Sequence, residues 1–578
     1  MSIIDRIRLR ISRSDGLLLL AIVGLCSGVL AGASNILFRL FTESGIVLWH
    51  PKSDAGDFEG LPWHIRLIMP IIGGLIVGLF LQKLSKHRRA VGVGHVLDRL
   101  SFHQGYLPWK NAIVQFCLGG LTLASGMSVG REGPGVHLGA ASGSWLGQRL
   151  KLPNNSIRIL VACGCAAAIS ASFNTPLAGV IFAMEVIMME YTIASFIPVI
   201  LASVSGAMLS RMVFGHNVAF IVPNLELTSL WEMPFFLLMG IVIGCLAALF
   251  IHLTTRVAQK TANWEVWIKC TLSGIIVGLI AIGIPQVMGI GYDSVNATLQ
   301  GSYGFVIIAL CLVGKFIATV CCSGMSMPGG VIGPTFFIGA MTGALAGIIG
   351  NWLFPEYASI YPFYAMIGMA TMMSASLQAP LAALMALLEL TGNPGIILPG
   401  MLSVVIANLM VSQVFKQKSI FLTLMTARGK ELKISPLTQF LRRVGVAGVM
   451  ERSIAVHDRQ TSIAEAEKLL EETPRWVLIR EDNVPIALMS ANELAMYLVE
   501  LKESEEEVPK QLDLLKIPAN RQELSSVYLQ ATLEEALDTM DQKQVDAVYV
   551  YRTTAPLTEK IYGLLTRESI VSHYSYRK

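Results

Sequence analysis

The chain has 578 residues, of which 53% are hydrophobic and 15% charged, with a formal charge of +4 and a mean hydropathy of +0.59. A soluble domain carries about 25% charged residues, so the composition excludes a wholly soluble protein. The small net charge, with no basic-aromatic stripe, leaves no case for a nucleic-acid partner.

In chain order, the basic run "RIRLRISR" (6–13) precedes the first apolar run, and "KLSKHRR" (83–89) follows the second. Both are expected on the cytoplasmic side by the positive-inside rule. The opening shows no short apolar region ending in small residues, and no removable signal peptide is expected. Apolar runs follow one another from residue 16 to about 425; beyond 427 charged residues return. The reading is a multi-pass integral membrane domain in a lipid bilayer, followed by a water-soluble domain.

Stretches 17–40, 234–253 and 304–322 suit simple transmembrane helices. Those near 67–82, 112–124, 158–172, 331–349, 362–374 and 381–391 are short or interrupted by Gly and Pro. Short helices cannot cross about 30 Å of hydrocarbon, and irregular backbone at that depth must be buried in protein or line a cavity. The pattern predicts tilted, broken and re-entrant helices in inverted repeats, as transporters and channels use.

Three glycine-rich breaks open helix-like stretches: "AVGVG" (90–94), "GREGP" (130–134) and "GMSMPGGVIGP" (324–334). A helix start aims free N–H groups and the positive end of its dipole at whatever fills the break, and several together make an anion site. Glu132 lies in the middle break. An ionisable residue at this depth costs at least about 2.5–3.5 kcal/mol and marks function by default. A direct pair with Arg131 is not expected, because adjacent helical residues point apart. The nine cysteines all precede residue 323. Cys163 and Cys165, a lone C-x-C in a Gly/Ala-rich run, read as packing; no metal site and no disulfide is predicted.

These motifs carry a resemblance. "GREGP" with "VHLG" after it, "NTPLAGVIFAMEV" (174–186) and "PGGVIGP" (328–334) resemble, in order and spacing, the CLC family of chloride channels and proton/chloride antiporters. The resemblance implies that Glu132 is the external gating carboxylate. It implies that the anion is held at Val91 and Gly92, at Gly130, Arg131 and Gly133, at Gly330, Val331, Ile332 and Gly333, and at Phe421. Three positions depart from the family pattern. Val91 stands where a serine touches the anion, Phe421 where a tyrosine closes the inner side, and Val186 where exchangers carry a proton-transfer glutamate. Glu185, the neighbour of Val186, should point away from the route. The family also implies a homodimer with one pathway per subunit, a cytoplasmic N-terminus and tail, location in the cell (inner) membrane, and no required cofactor.

The tail repeats itself. Strand-like "SIAVH" and "RWVLIR" flank the amphipathic "SIAEAEKLLEE", and "PIALMS" leads to another helix; after the acidic linker 502–518 the order returns with "SSVYLQ", "TLEEALDTMDQ", "DAVYVYR" and "KIYGLLTRESIVSHY". An internal repeat of this kind resembles a CBS pair. Such pairs often bind an adenine nucleotide, and Ser490 with Glu493 fit the ribose-binding S/T-x-x-D/E pattern. Thr566, followed by Ser569, does not. A structural or dimer-stabilising tail is the other reading.

The expected fold is therefore a multi-pass α-helical membrane protein with inverted repeats and broken helices, plus a C-terminal α/β CBS-pair domain. Its expected parts are an N-terminal segment 1–15, a CLC-type domain 16–430, a linker 431–442 and a CBS pair 443–578 with repeats near 443–501 and 519–578. The expected function is gated transport of chloride or a similar anion, channel-like or weakly proton-coupled, with a tightly coupled antiporter as the alternative. A membrane enzyme using Glu132 and His137 lacks a nucleophile or metal set, and its two groups face different sides of a helix. A membrane-anchored CBS sensor leaves the three breaks unexplained.

Overall fold

A computed structural model of the chain describes residues 17–49, 58–215, 220, 227–432, 436–503, 511–554 and 558–575. The 1–15 segment, with its basic run, lies outside these residues, as does 504–510 of the acidic linker. The chain divides into two compact units: one of Leu18–Leu150 with Ile157–Leu432, the other of Lys433–Lys578 with the short 151–156 stretch.

Among its described residues the first unit is built of helices. Among the described residues nine helices are long and apolar enough to cross a membrane. Three segments expected to be short are full length: Trp63–Lys83, Asn154–Phe173 and Ile332–Leu353 have 21, 20 and 22 residues. Their Gly and Pro residues do not break them. Pro70 sits buried inside its helix, and the glycines let neighbouring backbones touch. A methyl group on Gly139 or Gly143 would lie 2.2 Å from the Gly164 carbonyl oxygen or 2.1 Å from that of Leu160. Two hundred residues on, a methyl group on Gly339 or Gly343 would lie 2.3 Å from the Gly368 carbonyl oxygen or 2.2 Å from that of Tyr364. The same close helix pair is thus built twice. Other segments are short as expected: Trp109–Ala124, Tyr361–Leu377 and Pro380–Thr391; the seven-residue Pro176–Phe182 is a further short helix.

The two halves also cap each other. The Pro176–Phe182 and Pro380–Thr391 helices each begin at proline after a residue-before-last in left-handed backbone, Asn174 (φ 61°) and Gln378 (φ 57°). The Glu389 carboxylate accepts the N–H groups of Leu177 (2.9 Å) and Ala178 (2.8 Å). Glu185 accepts those of Leu381 (3.2 Å) and Ala382 (2.8 Å). Each acid satisfies the orphan donors of the other half's helix start, and the dipole there favours its charge.

The second unit is α/β. Strands Ile454–Asp458 and Trp476–Glu481 pair in parallel, and Val484–Ser490 adds antiparallel to the second. Arg521–Tyr528, Ala547–Thr554 and Thr558–Thr566 repeat this pattern, and the six strands form one sheet. Both repeats start their first helix with a capping box, Ser462 with Glu465 and Thr532 with Glu535. Part of the expected linker 431–442 is a helix, Pro436–Arg443, because Leu441 buries itself against Val446, Leu533 and their neighbours while Arg442 pairs with Glu534 at 2.6 Å.

Candidate functional site

Four helices pack together in the first unit, two of them start to start. The Gly92–Phe102 helix packs on the Glu132–Arg149 and Ile420–Ala427 helices, and the Glu132 helix meets the Ile332–Leu353 helix. The last contact is a backbone bridge: Gly130 N–H donates to Gly330 O at 2.7 Å and Gly330 N–H to Gly130 O at 2.8 Å. Only glycine fits here. A methyl on Gly133 would lie 2.5 Å from Gly330 Cα, and one on Gly330 would lie 2.5 Å from Gly133 N.

Glu132 is the first residue of its helix and fully buried. One carboxylate oxygen accepts the Gly333 N–H at 3.2 Å, from the start of the opposite half's helix. The other accepts the hydroxyl of Tyr292. Arg131 Nε lies 4.0 Å from the carboxylate and has no hydrogen-bond partner, while another guanidinium nitrogen lies 3.8 Å from Glu43. Arg131, the cap residue of this helix, thus comes to the outer limit of ion-pair distance from Glu132 without a hydrogen bond to it. A cavity of about 200 Å³ adjoins this point, lined by Arg39, Glu43, Arg131, Tyr292 and Asn296 among others.

Of the expected anion contacts, Gly130, Arg131, Gly133, Gly330, Val331, Ile332 and Gly333 gather around the bridge. Val91 caps the Gly92 helix, and a methyl on Gly92 or Gly94 would meet nothing within 4 Å, so open space borders that helix start. Phe421 is the second residue of its short helix and is buried. Val186 lies on a π-helical turn, Ala183–Met188, beside a second cavity of about 410 Å³ that Glu185, Gln378, Lys416 and Lys418 also line. Glu185 borders that cavity but spends its carboxylate on the Pro380 helix. His137 pairs not with Glu132 but with His95, their ring nitrogens 2.9 Å apart.

Sequence reasoning misses Tyr292, which sits 160 positions from the carboxylate it holds. Nothing in "GIGYDSV" announces the contact; only its glycines, which mark a turn before a helix, hint at it.

In the tail, Ser490 ends its strand and Glu493 lies in the first turn of the following helix. Thr566 ends the corresponding strand of the second repeat. It exchanges hydrogen bonds with Ser569 (3.1 and 3.2 Å): the Thr566 hydroxyl accepts the Ser569 N–H and so caps the Arg567–Ser575 helix, in whose first turn Ser569 lies. Among the described residues no cluster of His, Cys, Asp or Glu could hold a metal.

The family model "Voltage gated chloride channel" matches residues 73–412. A putative chloride channel protein ClcB-like of Ralstonia nicotianae is 34% identical over 67% of this chain and 91% of its own length. The H(+)/Cl(-) exchange transporter ClcA of Vibrio cholerae serotype O1 is 28% identical over 60% of this chain and 76% of its own. The crystal structure of a eukaryotic CLC transporter matches with a TM-score of 0.58 at 19% identity, covering 98% of this chain and 99% of that one. A bridged pair of glycine-rich helix starts around one buried glutamate, within a family match this long, leads to one conclusion: the chain belongs to the CLC family.

Proposed function

We propose that the protein moves chloride, or a similar small anion, through a pathway gated by Glu132, channel-like or weakly coupled to protons. The observation that carries this reading is the bond from Gly333 N–H to the Glu132 carboxylate. An anion needs the same free N–H groups at the helix starts, so carboxylate and anion compete for one place. Protonation removes the charge that holds the carboxylate there, and the place becomes free. Arg131 Nε–H, buried beside it without a partner, adds a donor for the incoming ion. Val91 and Phe421 carry no hydroxyl, so the ion rests chiefly on backbone N–H groups. Val186 cannot hold a proton, which favours weak coupling.

One observation favours a tightly coupled antiporter instead. The cavity of about 410 Å³ beside Val186 has room for water, and a water chain could carry protons past an apolar side chain. Liposomes holding the purified protein under a chloride gradient separate the two. The proposal expects chloride efflux without uphill proton movement. Sustained uphill proton uptake, lost in Glu132→Gln, selects the antiporter, and absence of anion flux sinks both.

The protein works as a homodimer with one pathway per subunit, its N-terminus and tail in the cytoplasm of a cell whose inner membrane it spans. The tail acts as a CBS pair. Ser490 and Glu493 suit a nucleotide's ribose, whereas the Thr566 hydroxyl is engaged with Ser569, so any adenine nucleotide is gripped from the first repeat. Equilibrium dialysis with ATP tests this, and Glu493→Ala should abolish the binding.

A further inference from the structure

Lys315 is fully buried in the Phe305–Gly324 helix. Its Nζ donates to the carbonyls of Val287 (3.0 Å) and Gly289 (2.7 Å) and lies 5.0 Å from the centre of the Phe337 ring. Among the described residues no carboxylate lies within ion-pair distance of it. A lysine buried this way is costly, and its hydrogen bonds go to one short stretch of backbone. That stretch is further tied by Gly289 N–H to Gly126 O at 3.1 Å. It ends at Gly291, in left-handed backbone (φ 83°), where a methyl would lie 2.7 Å from the Phe337 ring and 3.3 Å from Lys315 Nζ. The next residue is Tyr292, whose hydroxyl meets Glu132. Phe173 and Phe220 pack against the Tyr292 ring, with centroids at 6.2 and 4.9 Å. The direction of its hydroxyl therefore follows from where the backbone enters the helix.

We propose that Tyr292 is the latch of the Glu132 gate, and that Lys315 is a positioning residue that sets the latch by holding the Val287–Gly291 backbone. This rests on Glu132 being the gate. A hydroxyl that donates to a carboxylate makes a charge-assisted bond, so Tyr292 holds Glu132 in the anion's place. Removing the hydroxyl frees the carboxylate to leave, and the gate opens with less acid. The other charged or titratable groups near the gate are Arg131, Arg39 and Glu43, Asp293 beside Tyr292, and the His137–His95 pair on the far side of the gate's own helix. The thiols of Cys311 and Cys322 face Lys315. The Ile332–Leu353 helix brings no titratable side chain.

The test is chloride efflux from proteoliposomes across a pH series, for wild type, Glu132→Gln, Tyr292→Phe, Lys315→Met and Lys315→Arg. Tyr292→Phe is expected to move the midpoint of acid activation up by about one pH unit, the size of one hydrogen bond to a charged group. Lys315→Met should move it the same way and Lys315→Arg restore it. In a Glu132→Gln background Tyr292→Phe should change nothing further. If Lys315→Met fails to elute as folded protein, Lys315→Gln, which keeps two N–H donors for the two carbonyls, takes its place and should shift the midpoint less than Tyr292→Phe. An unmoved midpoint in Tyr292→Phe, while Glu132→Gln abolishes pH dependence, overturns the latch and leaves the gate standing. A Glu132→Gln protein with ordinary pH dependence overturns the gate itself. A Lys315→Met midpoint equal to wild type removes Lys315 from the device.

Discussion

The pentapeptides Gly130-Arg131-Glu132-Gly133-Pro134 and Gly330-Val331-Ile332-Gly333-Pro334 differ only at their second and third residues. Their shared glycines form the same bridge from both sides and their prolines sit in the first turn of both helices. Glu132 and Ile332 are both fully buried. The frame that offers backbone N–H groups is thus built twice, and the ionisable group once. Two carboxylates at this spacing would repel each other and one would stay protonated. With none, the N–H groups would have no competitor for the anion. The proposed gate is a broken symmetry in an otherwise repeated frame.

The strongest way to break the comparison is to attack what both halves share. Gly330→Ala or Gly133→Ala drives a methyl into backbone that has no room to yield, and we expect loss of folded protein from either, read as disappearance of the monodisperse peak in mild detergent. Equal loss from both confirms that the bridge is one element; tolerance of either refutes it. Glu132→Gln removes what the halves do not share. Flux at neutral pH should rise on the order of tenfold, the factor that about 1.4 kcal/mol of lost competition gives, and its dependence on external pH and chloride should vanish. A folded variant without flux would show that Glu132 is not a gate.

Next come the reciprocal acids. Glu185→Gln and Glu389→Gln each weaken two charge-assisted bonds to a helix start, worth about 1–3 kcal/mol. Thermal unfolding should fall by similar amounts in the two variants. If only Glu185→Gln changes ion movement, its place beside the Val186 cavity matters beyond capping. The smallest effect belongs to exposed charge. Asp458 and Asp513 are held below the ordinary aspartate range by hydrogen bonds from Arg480 and Arg459. A carboxyl lowered in the folded state adds stability above its unfolded value, near 3.8, and that stability is lost as pH falls through the lower, folded value. Exposed pairs contribute about 0.2–1 kcal/mol, so Arg480→Met should lower the unfolding temperature slightly at pH 7 and not at all near pH 2.

Much of this was legible in the sequence. The glycine breaks, the depth of Glu132 and the alternation of strands and helices in the tail are local signals, and the structure keeps them. What was not legible is convergence. Tyr292 reaches Glu132 only because Lys315 and two glycines turn the chain before it, and neither periodicity nor composition encodes that meeting. The reciprocal caps do leave a signal in the sequence. Aligned on itself at an offset of 204, "FNTPLAG" lies over "LQAPLAA" and Glu185 over Glu389. Helix lengths were underestimated because a glycine that admits a neighbouring backbone looks, in sequence, like one that ends a helix.

The exchange of caps between halves bears on how the protein can be made. When residue 178 leaves the ribosome, the N–H groups of Leu177 and Ala178 have no acceptor, and the carboxylate that will take them is 212 positions from Leu177 and still unsynthesised. A helix start whose donors lack an acceptor is less stable wherever water is excluded, so the Pro176 helix start is complete only once Glu389 is in place, and the Pro380 helix start only with Glu185. A first half expressed alone is therefore expected to resist proteolysis less well than the same residues in the whole chain, and co-expression of the second half to restore the protection.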